Sequence, residues 1–311
     1  MAKIVFFGTP RFGVPVLQAL IEHHDVVLVV TQPDRLAGRG RRRLQLSPVK
    51  QVAQAHGIEM LQPARLRRDP DAVARLRQAD ADLFVIAAYG QILRPNVLAI
   101  PRHGCIGVHA SLLPELRGAA PIAAAILQGK EETGVTLMLT DIGMDTGPIL
   151  AQAHLPIAPD DTTETLSEKL AHLGAHLLIQ TLPAWLSGKI APRPQDDALA
   201  TSAPRIKTSD GSIDWQQTAL EIDRQIRAYT PWPSAFCTYG KTRLKILRTH
   251  PLPGWRGEGL PGNVMRVPEG IGVVTGQGLL LLDEVQLAGK KPMSVEQFCQ
   301  GQRTFVNSFL S

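Results

Sequence analysis

Two short stretches of this chain carry side chains able to move a proton. The first runs Cys105-Ile106-Gly107-Val108-His109-Ala110-Ser111-Leu112-Leu113-Pro114, then Glu115-Leu116-Arg117-Gly118-Ala119-Ala120-Pro121. The second, Thr140-Asp141-Ile142-Gly143-Met144-Asp145-Thr146-Gly147-Pro148, sets two carboxylates among glycines. Each follows an apolar run. An imidazole, with a reference pKa of about 6.5, gains and loses a proton near neutrality. A carboxylate beside it orients the ring and favours its charged form. Such a pair does general acid–base work. Each stretch also has a plain structural reading: a strand-end histidine held by packing, and an acidic turn whose glycines supply positive φ.

Other chemistries find less support. Gly8-Thr9-Pro10-Arg11-Phe12-Gly13 follows the first apolar run but lacks the G-x-G-x-x-G order, so no nicotinamide or flavin is expected. The three cysteines, Cys105, Cys237 and Cys299, are far apart and give neither zinc spacing nor a disulfide framework. His172 and His176 lie four apart with no acid-rich motif, and read as surface helix residues. No metal is expected. The N-terminal apolar run is too short for a signal peptide, and no run of 18 apolar residues follows. The chain reads as a cytoplasmic, non-membrane protein, expected to be a monomer.

The elements that must position these residues follow from periodicity. Ile4 to Phe7, Val26 to Val30, Leu83 to Ala88, Cys105 to His109 and Val135 to Leu139 are continuous apolar runs separated by helical patterns such as Val14 to Ile21. Such runs predict strands buried on both faces of a parallel sheet. Right-handed crossovers make this an α/β, doubly wound, Rossmann-like domain with active residues at the strands' carboxyl ends. Asp161 with Glu164 predicts a capped helix start, and Leu166, Leu170, Leu173 and Leu177 continue that helix. The first domain is expected to span residues 1–188.

Prolines 192, 194 and 204 dissolve the pattern, predicting a linker over 189–208. Residues 209–311 read as a second domain, with a helix over Ile213 to Tyr229. Short strand pieces follow, including Val273-Val274 and Leu279 to Leu282, and predict a small OB-like β-barrel. From Arg205 onward thirteen Lys and Arg face nine Asp and Glu, an excess of four out of the whole chain's five. A second basic stretch, Arg35, Arg39, Arg41, Arg42, Arg43 and Lys50, has no acid between Asp34 and Glu59. It reads either as a solvated loop or as a segment that orders against phosphates.

Ser111-Leu112-Leu113-Pro114, Arg117-Gly118-Ala119-Ala120-Pro121 and Asp145-Thr146-Gly147 resemble the folate-dependent formyltransferase superfamily. The resemblance spans almost the whole chain. It narrows to the methionyl-tRNA formyltransferase family through Phe7-Gly8-Thr9-Pro10, Thr31-Gln32-Pro33-Asp34-Arg35, Ala37-Gly38-Arg39-Gly40, Ser47-Pro48-Val49-Lys50 and Ala88-Tyr89-Gly90. Ile213-Asp214-Trp215, Arg227-Ala228-Tyr229, Pro231-Trp232-Pro233 and Ala288-Gly289-Lys290-Lys291 fit as well.

The resemblance implies transfer of the formyl group of 10-formyltetrahydrofolate to the methionine amine of methionyl initiator tRNA. It implies His109 and Asp145 as catalytic residues, with Gly107 where the family carries an asparagine. Folate is implied beside Ser111, Leu112, Leu113, Pro114, Gln91, Ile92, Leu93 and Asp141. RNA is implied at Arg39, Arg41, Arg42, Arg43, Lys245, Lys290 and Lys291, with Arg39 as best reader. Two alternatives stay open: a formyltransferase acting on a sugar nucleotide or purine precursor, and a silent tRNA- or folate-binding homologue, which Gly107 would suit.

Overall fold

The computed structural model describes residues 1–37 and 43–311. The chain divides into two compact units. The first holds residues 1–121, 132–156 and 167–203, and the second holds 122–131, 157–166 and 204–311.

In chain order the first part has β1 (Lys3–Gly8), α1 (Gly13–His23), β2 (Asp25–Val30), β3 (Arg35–Ala37), β4 (Arg43–Gln45), α2 (Pro48–Ala55) and β5 (Met60–Leu61). It continues with α3 (Pro70–Gln78), β6 (Leu83–Ala87), α4 (Pro95–Leu98), β7 (Cys105–His109), β8 (Arg117–Gly118), α5 (Pro121–Leu127), β9 (Glu132–Leu139), β10 (Ile149–Pro156), α6 (Thr163–Leu186) and β11 (Ser202–Ala203).

The main sheet has the order β10-β9-β7-β6-β1-β2-β5. Strands β5, β2, β1, β6 and β7 are parallel, with the order reversing between β1 and β6. Alternate residues bury on opposite faces. Val5, Phe7, Leu28, Val30, Phe84 and Tyr89 form one cluster with Leu66 and Leu76. On the sheet's other side Gly174 of α6 lets the helix approach: a Cβ there would stand 2.9 Å from Val108 Cγ1. Val108 therefore faces α6, and its neighbours Gly107 and His109 face the opposite side.

The expected all-parallel sheet needs one correction. The Val135 to Leu139 run lies in β9, which is antiparallel to β7, with Gly107 opposite Met138 and His109 opposite Thr136. β10 is antiparallel to β9 in turn. A fully apolar run reports burial on both faces and is silent about direction. The expected helix start also moves. Asp161 accepts from the Ala158 amide and the Thr165 hydroxyl, while Thr162 accepts from the Thr165 amide and caps α6.

The second unit has α7 (Ala219–Ala228), β12 (Ala235–Tyr239), β13 (Thr242–Leu252), β14 (Val264–Val267), β15 (Gly270–Val274), β16 (Leu279–Leu287), β17 (Met293–Ser294) and α8 (Val295–Gly301). The helix expected over Ile213 to Tyr229 begins later, because Thr218 and Glu221 form a capping box that fixes its start. Ile213 and Trp215 instead enter the core from the irregular chain and turn that precede the helix. The sheet order is β12-β13-β16-β15-β14, with β17 on β16. The C-terminal segment bridges Tyr239 through Leu310 and Asn263 through Phe309. It thereby ties the two ends of the sheet together, giving a small barrel filled by Ile222, Ile226, Leu244, Ile246, Phe298 and Phe305. None of the described helices is long and apolar enough to cross a membrane.

Candidate active site

His109 is the last residue of β7 and is buried. Its Nε2 lies 3.1 Å from the Leu116 carbonyl. A carbonyl only accepts, so Nε2 carries a hydrogen and, in the neutral ring, Nδ1 presents its lone pair. That nitrogen is 3.7 Å from Asp145 Oδ2. The separation exceeds a direct hydrogen bond.

Asp145 reaches His109 by an indirect route. Because β9 runs antiparallel to β7, Leu139 ends beside Ile106. The Thr140 amide donates to the Cys105 carbonyl at 2.7 Å, at the start of β7. The loop then folds back across the β7 face. Asp141 organises it, accepting from the Gly143 amide at 3.0 Å and the Thr146 hydroxyl at 2.8 Å. Positive φ falls on Asp145, at +57°, and not on Gly143 or Gly147. Aspartate tolerates this left-handed region better than most residues. Its Oδ2 also accepts from the Gly118 amide at 2.9 Å, tying it to the loop that follows His109.

That loop is itself held tightly. Ser111 Oγ donates to the Glu115 carbonyl at 2.7 Å. Thr136 Oγ1 donates to the Ser111 carbonyl and accepts from the Leu113 amide, and Gln152 donates to both Thr136 Oγ1 and the Leu113 carbonyl. Leu113 packs with Met138 and Ile149. Leu112 and Pro114 stay half-buried, and the peptide before Pro114 is cis.

At Gly107 a Cβ would stand 3.1 Å from Thr140 Oγ1 and 3.2 Å from Met138 Cε. The Thr140 hydroxyl is buried and has no hydrogen-bond partner among the described residues. No side chain at position 107 donates a hydrogen bond toward the His109 face.

The other expected folate contacts separate into two groups. Gln91 bonds the chain at both ends of its amide, accepting from the Leu66 amide at 2.9 Å and donating to the Pro63 carbonyl at 3.0 Å. Leu93 lies in the core with Val97 and Cys105. The Gln91 amide is thus partly committed to its own chain, and the Leu93 side chain is packed into the core. Ile92 is 76% exposed, and Ile142 and Met144 of the Asp141 loop are exposed too. Such apolar groups on the loops after β6 and β9 suit the face of a flat ring. Cys105 is no nucleophile, since burial pushes its thiol up to about 12.

Of the expected RNA contacts, Arg39, Arg41 and Arg42 lie outside the described residues, and Arg43 is described only as backbone at the start of β4. Lys50 belongs elsewhere: its Nζ is 2.6 Å from Asp34 Oδ2 and 2.8 Å from Gln62 Oε1. In the barrel, Lys290 and Lys291 are exposed on the turn between β16 and β17, while Lys245 is half-buried and donates to Ser234 Oγ at 3.1 Å. Arg243 of β13, diagonal to Phe236 on neighbouring β12, lies 3.9 Å over that ring.

Sequence reasoning missed the residues that brace the two loops. Gln195 and Thr201 are 48 or more residues from the segments they hold, and no local motif marks them.

The site thus sets an imidazole and a carboxylate on two loops of a doubly wound sheet, and a small barrel follows. Residues 2–182 match the family described as formyl transferase, and residues 205–303 match the formyl transferase C-terminal domain. The chain belongs to the formyl transferase family. Over 309 residues it is 49% identical to a methionyl-tRNA formyltransferase of Synechococcus sp. (strain JA-3-3Ab), covering 96% of this chain and 95% of that protein. It is 47% identical over 302 residues to the methionyl-tRNA formyltransferase of Myxococcus xanthus (strain DK1622), covering 97% and 95%. The fold is shared with an N-formyltransferase from Helicobacter canadensis, at TM-score 0.68 and 20% identity, covering 91% of this chain and 98% of that one.

Proposed function

We propose that this chain transfers the formyl group of 10-formyltetrahydrofolate to the α-amino group of methionine on initiator tRNA. The observation that carries the reading is the approach of His109 to Asp145 within a chain that matches methionyl-tRNA formyltransferases over nearly its full length. The site suits the donor: exposed Ile92, Ile142 and Met144 offer apolar cover beside loops rich in backbone polar groups. Bound there, 10-formyltetrahydrofolate supplies an electrophilic formyl carbon.

An α-amine has a reference pKa of about 8, so a useful neutral fraction exists without a strong base. Its attack builds negative charge on the formyl oxygen and positive charge on the amine. His109 accepts the amine's surplus proton at Nδ1, where Asp145 stabilises the imidazolium. The same proton then goes to the leaving nitrogen, so the pair ends as it began. Nε2 stays committed to Leu116 throughout, which keeps the ring in one orientation.

Gly107 leaves this catalysis without a side-chain donor for the oxyanion. Loss of one such donor slows kcat by roughly 10² to 10³. Turnover is therefore specific but slow. RNA binding divides between the arginine-bearing segment, which reads the acceptor end through Arg39, and Lys245, Lys290 and Lys291 of the barrel, which meet phosphates without regard to sequence. The chain works as a cytoplasmic monomer.

The test is an assay with 10-formyltetrahydrofolate and methionyl initiator tRNA, with elongator tRNA and amino sugar nucleotides as competing acceptors. Formylmethionine on initiator tRNA alone is expected. No transfer to any acceptor, with binding retained, would overturn the reading. Arg39→Ala is expected to narrow the rate difference between initiator and elongator tRNA.

A further inference from the structure

The stretch that reads in sequence as a link between domains braces the active loops of the first unit. β11 pairs in parallel with β8, Ser202 against Arg117 and Ala203 against Gly118. Thr201 Oγ1 accepts from the Leu116 amide at 2.8 Å, fixing the residue whose carbonyl holds His109. Between Arg193 and Thr201 stands Gln195. Its Nε2 donates to the Asp145 carbonyl at 2.8 Å and to the Gly147 carbonyl at 2.7 Å. Its Oε1 accepts from Arg117 Nε at 3.0 Å and from an Arg117 terminal nitrogen at 2.8 Å. Both N–H groups and both lone pairs of the amide are thus engaged.

These bonds close a ring around the catalytic carboxylate. Asp145 is held through its carbonyl by Gln195 and through Oδ2 by the Gly118 amide. Arg117, bonded to Gln195, is the residue before Gly118. Asp145 sits at φ +57°, a conformation that costs free energy even for aspartate and that these contacts hold in place. The Gln195 amide is the one described side chain that donates to both carbonyls flanking Thr146.

We propose that Gln195 is a positioning residue for formyl transfer: its amide fixes the left-handed backbone at Asp145 and so aims that carboxylate at His109. The inference rests on the functional reading above. Misplacing a catalytic group by about 1 Å can cost about 10²-fold in rate.

The experiment compares Gln195→Ala and Gln195→Glu with the unaltered chain in kcat, KM, Tm and amide hydrogen exchange at Gly118. Glutamate keeps the oxygen that pairs with Arg117 but replaces the donor to both carbonyls with an acceptor. Both variants are expected to lose roughly 10- to 100-fold in kcat, with KM for either substrate within about twofold. Gly118 is expected to lose protection in both, with each chain still unfolding cooperatively. A Gln195→Glu chain as fast as the unaltered one would overturn the proposal and leave Gln195 only an anchor for Arg117. So would full Gly118 protection in both variants. If the unaltered chain transfers no formyl group yet Gly118 loses protection in both variants, the positioning stands and the functional reading fails.

Discussion

His109 Nδ1 and Asp145 Oδ2 stand 3.7 Å apart, while the other imidazole nitrogen is fixed on the Leu116 carbonyl. The relationship defines one proton position in the site. Asparagine at 145 can still accept from the Gly118 amide, but it carries no charge to stabilise an imidazolium. Asp145→Asn is expected to lower kcat by roughly 10² to 10⁴ with folate affinity unchanged. Single-turnover rates paired with equilibrium folate titration decide it, and a variant turning over at the parent rate would remove Asp145 from the mechanism.

Gly107 and Thr140 form a second coupled pair. An asparagine at 107 would supply an oxyanion donor, but its Cβ would press on Thr140 Oγ1 at 3.1 Å. That contact is tight, and the Met138 methyl crowds the same point. Gly107→Asn is expected to raise kcat, and Gly107→Asn with Thr140→Ala to raise it further, toward the roughly 10² to 10³ that one donor supplies. Thr140→Ala alone is expected to leave kcat near the parent value. Equal rates for the parent, Gly107→Asn and the double variant would show that this position donates nothing to the reaction.

The strands of the main sheet and the two segments that bring His109 and Asp145 together are legible because both rest on local signals. Apolar runs at Ile4 to Phe7 and Cys105 to His109 gave strands at nearly their observed bounds. His109 and Asp145 stand out by residue type, strand-end placement and resemblance. Direction was not legible, since Val135 to Leu139 is equally apolar whichever way β9 runs. The side-chain duties of Gln91 and Leu93 were also hidden, because only the fold shows that one bonds Pro63 and Leu66 and the other packs under α4 residue Val97. Lys50 belongs to a basic stretch in sequence, but Asp34 and Gln62 meet it in space.

Tyr89 marks the opposite case, a polar group the fold leaves unsatisfied. Its ring packs edge-on to Phe7 at 5.4 Å, and its hydroxyl is buried with no partner among the described residues. Burial alone drives its phenol well above the ordinary range. An unpaired buried hydroxyl costs about 1–3 kcal/mol. Tyr89→Phe keeps the ring and removes that cost, so it is expected to stabilise the chain by about 1 kcal/mol with formyl transfer unchanged. Chemical denaturation measures the gain, and a loss of stability would mean that the hydroxyl has found a partner.

Asp34 and Lys50 stand at the two ends of the segment that carries the arginines. Asp34 directly precedes β3, and Lys50 lies in the first turn of α2, after β4. Gln62 bonds both, donating to Asp34 Oδ1 at 3.0 Å and accepting from Lys50 Nζ. The hydrogen bond from Lys50, with its positive charge, holds the Asp34 carboxyl below the usual carboxylate range. A carboxyl depressed on folding contributes stability that is present above its unfolded pKa, about 3.9, and is lost as pH falls through the folded value. The unaltered chain is therefore expected to lose more stability than Asp34→Asn between neutral pH and pH 3. The same variant loosens the base of the arginine segment, so it is expected to reduce discrimination between initiator and elongator tRNA in the direction of Arg39→Ala, without lowering kcat on saturating initiator tRNA. Parallel pH–stability curves for the two proteins would show that the ion pair adds nothing to folding. An unchanged initiator-to-elongator ratio would separate the clasp from RNA recognition.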